Sequence, residues 1–249
     1  IGPQGTNGRR RDTFGCAGLQ RRYPLNHTAV MMRRLVPRIT LVILIRNPIE
    51  RMYSHFYHFY DPKSCPGSKR NADCFHGSYL GEIGGAFKKC VAKHGKWHPL
   101  CAWGPVDTFA FHQHSRGFSL GLYAVFISLW LDLYPKKQFC VLDLEHLKAG
   151  LTTGLGMIED CLGLPHLPSY QAVAINRRGT VKRAEPMQNR SVAILQEWYE
   201  PYNRRLCAMQ LHPLKCNTSW LSKYEREDGF HLEIREEQKK QQARDKLRH

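Results

Sequence analysis

Ile39-Thr-Leu-Val-Ile-Leu-Ile45, running straight into Arg46-Asn-Pro-Ile-Glu-Arg51-Met-Tyr-Ser54, decides the fold. Seven consecutive apolar or β-branched residues predict a strand covered on both faces, as inside a parallel sheet. Pro48 predicts a helix start immediately afterwards, because its missing N–H would have had no partner in a first turn. A helix N-terminus at the carboxyl end of a parallel strand is a ready anion site. Arg46 at the strand end and Ser54 about two turns into the helix are placed to face one phosphate. The ligand implied is a phosphorylated nucleotide or a similar dianion. The alternative is that Arg46 pairs with a carboxylate of the chain itself.

Composition bounds what such a domain can be. At 249 residues the chain is long enough for one α/β domain, or two small ones. A formal charge of +16 implies an acidic partner: nucleic acid, an anionic membrane surface, a phosphorylated cofactor, or a sulfated or carboxylated glycan. The basic residues are spread along the chain, which fits a broad positive face better than a localisation signal. Nine cysteines without a Cys-x-x-Cys pair argue against a zinc site of ordinary spacing. With the sequons at Asn26, Asn189 and Asn217, they favour the secretory pathway. The first residue is Ile1, and no apolar run is long enough to span a bilayer. The expectation is a piece of a longer protein whose membrane anchor lies elsewhere.

Residues 1–25, rich in Gly, Arg and Gln, predict a poorly ordered lead-in; 26–221 form the domain, and 222–249 a charged tail. Within the domain, Val30 to Val36 predicts a short helix. Arg51 to Tyr60 predicts a helix whose aromatic face (Tyr53, Phe56, Tyr57, Phe59, Tyr60) packs in the core. The Pro- and Gly-rich stretch 61–81 reads as a surface loop, with Cys65 and Cys74 able to close it. Helices are predicted over Ile83 to His94, Leu120 to Leu133, Leu151 to Leu162 and Ser191 to Met209, the last with a kink or break at Pro201. Phe139 to Leu144 predicts a second buried strand. This alternation gives an α/β fold with a parallel sheet flanked by helices.

Five segments, in this order, carry a resemblance to a known family. They are Leu44-Ile-Arg46-Asn-Pro48-Ile-Glu-Arg51-Met-Tyr-Ser54; Gly121-Leu-Tyr-Ala-Val-Phe with Trp130-Leu131; Gln138-Phe-Cys-Val-Leu-Asp-Leu-Glu145; Cys161-Leu-Gly163-Leu-Pro165; and Trp198-Tyr-Glu-Pro201-Tyr-Asn203-Arg-Arg-Leu206. Over roughly residues 28 to 210 the chain resembles the Golgi carbohydrate sulfotransferases, in the branch of the N-acetylgalactosamine 4-sulfate 6-O-sulfotransferase. The resemblance implies a P-loop-type nucleotide-binding sulfotransferase fold. It also implies the sulfuryl donor 3′-phosphoadenosine 5′-phosphosulfate and a glycosaminoglycan acceptor such as chondroitin or dermatan sulfate. The place of action implied is the Golgi lumen, as a type II membrane protein. Arg46 and Ser54 would hold the 3′-phosphate. Arg177, Arg178, Lys182 and Arg183 resemble the late basic loop that closes over it, or are a solvated surface loop. Arg51 would pair with a carboxylate or line the site. A Cys90–Cys101 disulfide is implied by a matching pair in that branch.

The family's opening strand and its Lys-bearing Gly-Thr loop have no match here, since Gln4-Gly-Thr6 follows no strand and carries no Lys. The chain is therefore expected to begin inside the catalytic domain, incomplete at its N-terminus, with half the donor site. No catalytic residue is assigned. Glu145, at a strand end, reads as a cap or an orienter of a basic neighbour, and Asp143 stands where a basic residue is common in the branch. His55, His58, His112 and His114 do not form a metal pattern; 112 and 114 would point opposite ways on a strand. An inactive relative holding acidic glycan or nucleotide is the competing reading. A nucleic-acid binder has charge alone in its favour.

Overall fold

The computed structural model describes residues 27–103, 117–145, 150–167, 170, 185–216 and 220–221. In chain order they form α1 (His27–Leu35), β1 (Leu41–Ile45), α2 (Pro48–Phe59), α3 (Leu80–His94), α4 (Pro99–Trp103), α5 (Tyr123–Leu131), β2 (Phe139–Asp143), α6 (Leu151–Leu162) and α7 (Asn189–Ala208). β1 and β2 pair in parallel, in a register that runs from Leu41 opposite Phe139 to Ile45 opposite Asp143. The α/β class with a parallel sheet and flanking helices is thus the observed architecture. The sequence segments 1–25 and 222–249 lie outside the described residues.

The strand expected to be covered on both faces is β2, not β1. All five β2 residues are buried. β1 alternates, with Val42 and Leu44 40% and 50% exposed. Only the face carrying Ile45 meets the core shared with Ala124, Tyr134 and Leu206. The apolar run of β1 therefore reports pairing and one covered face.

The stretch 61–81 is a second correction. Its first half, 61–70, is mostly exposed turn as expected, but from Ala72 on it is helical and largely buried. After two short 3₁₀ turns and the Ala72–Cys74 turn, a π-helical turn at Phe75–Tyr79 leads into α3. That turn drives Phe75 and Tyr79, both fully buried, against the aromatic face of α2. Phe75 lies 4.8 Å from Tyr53, edge-on, and Phe56 sits 5.3 Å from both Phe75 and Tyr79. The aromatic pairs gain beyond their buried area, so local Pro and Gly content yields to packing. Of the expected stripe, Phe59 alone points out, 70% exposed.

α7 runs through Pro201 without ending. Its inward face carries Leu195, Tyr199, Tyr202 and Leu206, all buried. Gly84 lets α3 approach this helix: a Cβ there would come within 2.7 Å of the Trp198 ring.

Four disulfides staple the described residues: Cys65–Cys74, Cys90–Cys101, Cys140–Cys161 and Cys207–Cys216. Two of them fit expectations, the closed 61–81 segment and the 90–101 pair. Cys140–Cys161 ties β2 to α6 across 21 residues, which contributes about 3 kcal/mol by the chain-entropy account. Among the described residues no helix is long and apolar enough to cross a membrane. Of the three sequons, Asn189 is exposed at the start of α7, while Asn26 and Asn217 lie outside the described residues.

The core also holds several neutral phenols. Burial raises Tyr60 to about 12, helped by its hydrogen bond to Glu82. Burial pushes Tyr79, Tyr199 and Tyr202 higher still, with Arg51 pulling the first two back and Arg205 the third. Unfolded phenols titrate near pH ~10. The folded state keeps the proton longer, so this stabilisation is whole below pH ~10 and is lost as pH climbs through the folded values. The expected result is an alkaline transition in which phenolate absorbance and loss of helical circular dichroism rise together above pH ~10. Phenolate forming in full while the dichroism stayed native would contradict the burial.

Candidate functional site

The site grows from the ends of two strands. Because Ile45 stands opposite Asp143, the residues that follow them, Arg46 and Leu144, leave the sheet side by side. Arg46 is held by its backbone. The Tyr123 hydroxyl, at the start of α5, donates to the Arg46 carbonyl at 2.9 Å and lies 3.4 Å from the Arg46 amide. Burial raises the Tyr123 phenol, opposed by the nearby charges of Arg51 and Arg46 and by the bond to Arg46. It stays a neutral donor at any physiological pH.

Asn47 then caps α2, its Oδ1 accepting from the Ile49 amide at 3.0 Å. Pro48 follows at the first helical position. This corrects the anion argument in one respect. Pro48 has no N–H, Ile49 spends its own on the cap, and Arg51 donates to the Asn47 carbonyl. The first turn can offer at most the Glu50 amide, so anion binding here rests on side chains more than on the helix end.

Those side chains are available. Among the described residues neither the Arg46 guanidinium nor the Ser54 hydroxyl meets a hydrogen-bond partner, and both residues are half-buried. Arg46 does not pair with a carboxylate there. Ser54 stands seven residues after Asn47, two turns on, so the two share a face of α2 with Arg51.

Arg51 reaches across from this face to the next segment of the chain. Its Nη2 donates to the Gly117 carbonyl at 2.6 Å. The guanidinium thereby fixes the loop ahead of α5. Tyr199 holds the next residue, donating to the Phe118 carbonyl at 2.9 Å. Gly117 and Gly121 make this close approach possible. A Cβ on Gly117 would fall 2.2 Å from the Tyr79 hydroxyl, and one on Gly121 2.8 Å from both Pro48 Cβ and Tyr199 Cε1.

At the neighbouring strand end Asp143 is fully buried. Asp143 caps the turn that follows: its Oδ1 accepts from the Glu145 amide at 3.1 Å. Its Oδ2 accepts from the Trp220 indole at 2.7 Å. Tyr123, Asp143 and Trp220 were not assigned roles by sequence reasoning. The signal for Tyr123 was its place in Gly121-Leu-Tyr-Ala-Val-Phe; Trp220 gave none.

The basic residues Arg177, Arg178, Lys182 and Arg183 lie outside the described residues. Both flanks of their segment are anchored. Tyr170 donates to Glu159 on α6. Glu185 accepts from the Tyr53 hydroxyl through its carbonyl at 2.6 Å and from the Ala72 amide through its carboxylate at 3.2 Å. Glu185 is thus held at α2, beside the residue preceding Ser54. His112 and His114 are also outside the described residues. The His55 ring lies 4.6 Å from that of Phe59, tilted by 35°. No group of three or more His, Cys, Asp or Glu able to hold a metal is found among the described residues.

No family model matches the chain. It is similar to carbohydrate sulfotransferase 15 of Homo sapiens, 27% identical over 177 residues that cover 68% of this chain and 29% of that protein. The same identity and coverage hold for carbohydrate sulfotransferase 15 of Mus musculus and of Rattus norvegicus. Among solved structures it is similar to a sulfotransferase from Alicyclobacillus acidocaldarius, at 18% identity and a TM-score of 0.49, over 81% of this chain and 63% of that one. The aligned part is thus under a third of the mammalian relatives' length. Over about two thirds of its length the chain is thus similar to mammalian carbohydrate sulfotransferases.

Proposed function

We propose that this chain carries the 3′-phosphate side of a sulfuryl-donor site in a glycosaminoglycan sulfotransferase of the N-acetylgalactosamine 4-sulfate 6-O type. The donor is 3′-phosphoadenosine 5′-phosphosulfate, which supplies the sulfuryl group to a hydroxyl of chondroitin or dermatan sulfate. One observation carries the reading: an arginine with no protein partner among the described residues, fixed by its backbone at the carboxyl end of a parallel strand, with a similarly unpartnered serine two helical turns on. A guanidinium and a hydroxyl recognise a phosphate dianion by geometry as well as charge. Arg177, Arg178, Lys182 and Arg183 close over the same group; the Glu185 anchor on Tyr53 supports this, because it ends their segment at α2.

The positive surface is the acceptor side of the proposal. Lys88, Lys89 and Lys93 on α3 are exposed and meet no acidic partner among the described residues. Such a face attracts a sulfated chain with salt-sensitive affinity. Four disulfides support a lumenal, oxidising compartment, which we take as the Golgi, with the whole protein a type II membrane glycoprotein.

Calorimetry tests the reading. Adenosine 3′,5′-bisphosphate is expected to bind at least about tenfold more tightly than adenosine 5′-monophosphate, since a charge-assisted contact is worth about 1.5–3 kcal/mol. Equal affinities would remove the 3′-phosphate site and the enzyme assignment with it.

A further inference from the structure

After α7 the chain does not leave the sheet. The Cys207–Cys216 disulfide folds it back, and the Val141 amide in the middle of β2 donates to the His212 carbonyl at 2.9 Å. Leu211 and Leu221 are buried. This strap delivers Trp220 to the carboxyl end of β2, where its Nε1–H meets Asp143. Each Asp143 oxygen thus accepts from a neutral donor, the Trp220 indole on one and the Glu145 amide on the other. A buried carboxylate is costly unless its acceptors are filled. Two donors arriving from different directions also leave it only one orientation.

Trp220 in turn lies beside Tyr123. Its ring lies 6.4 Å from that of Tyr123, centroid to centroid, tilted by 55°. Tyr123 is the residue that grips the Arg46 backbone. A chain of contacts therefore runs from the buried carboxylate through the indole and the phenol to Arg46.

We infer that Asp143 and Trp220 are positioning residues for the phosphate of the nucleotide. Asp143 orients the indole, the indole backs the Tyr123 ring, and Tyr123 sets the peptide from which the Arg46 guanidinium extends. The strap is then part of the binding site although it touches no ligand. The inference rests on the donor-site reading above and adds residues to it.

A double-mutant cycle tests it, read as the dissociation constant of adenosine 3′,5′-bisphosphate at a temperature where circular dichroism shows every variant fully folded. Trp220→Phe and Tyr123→Phe are each expected to weaken binding about three- to tenfold, and the double variant to weaken it by less than the product of the two. Asp143→Asn is expected to give the same loss. It keeps the shape of the side chain, but its amide can accept from only one of the two donors. It also serves if Trp220→Phe does not fold. Trp97→Phe, on the Tyr202 side of the core, is expected to lower the melting temperature and leave the dissociation constant unchanged. That separates positioning from general loss of stability. Wild-type binding matched by Trp220→Phe and Asp143→Asn, or losses that simply multiply, would overturn the inference alone. A wild-type protein that takes up no bisphosphate overturns the donor-site reading, and this inference falls with it.

Discussion

Arg46→Ala is expected to weaken binding of adenosine 3′,5′-bisphosphate about 50-fold while leaving the melting temperature within a degree or two of wild type. Two features set these expectations apart. The side chain is half-buried and unpartnered among the described residues, so the fold does not lean on it. What the fold does use at this position is the backbone, gripped by Tyr123, and alanine retains that. A charged hydrogen bond to phosphate contributes about 1.5–3 kcal/mol, which is roughly a 10- to 150-fold change in affinity. Arg46→Lys keeps the charge but loses the planar fork, so it should recover only part of the loss, to within about tenfold of wild type. Ser54→Ala removes one neutral donor and should cost about three- to tenfold. Titration calorimetry and thermal melts on the same samples check both halves. Undiminished binding by Arg46→Ala would show that the phosphate sits elsewhere.

Gly121→Ala should produce a large loss of stability, about 3 kcal/mol, lowering the melting temperature by about 6–12 °C. The added methyl would come within 2.8 Å of Pro48 Cβ on one side and of Tyr199 Cε1 on the other. Neither neighbour can give way cheaply. Pro48 opens α2 directly after the Asn47 cap. Tyr199 is fully buried with its hydroxyl bonded to the Phe118 carbonyl. Overpacking against two fixed groups lies at the upper end of the usual cost. Because the displaced proline is two residues from Arg46, nucleotide affinity should fall as well. A melt indistinguishable from wild type would mean that α2 and α7 can part without strain, contrary to the packing described.

The two strands and most helices were legible because each is written in a contiguous run: Ile39 to Ile45, Phe139 to Leu144, Leu151 to Leu162. The strand–Arg–x–Pro–helix junction was legible for the same reason. What sequence could not give was everything made by contact across distance. The Tyr123 grip on Arg46 and the Asp143–Trp220 bond each join residues 77 apart. Neither residue has a local pattern that announces a partner. The bond from Arg51 to the Gly117 carbonyl, 66 residues away, had no local signal either. The 61–81 stretch misled because Pro and Gly report backbone turns and say nothing of whether aromatic rings beside them find a core. The exposure of β1 was illegible too, since an apolar run does not record how many faces are covered.

The covalent cross-links have a practical side for anyone producing this protein. Their partners stand only 9, 11, 21 and 9 residues apart. Short loops close readily, so each native partner is the nearest thiol along the chain, and shuffling among the nine cysteines is biased towards the right answer. Expression routed through an oxidising compartment should therefore yield correctly bridged material with little help from an isomerase, whereas a reducing cytoplasm would forfeit all four staples together.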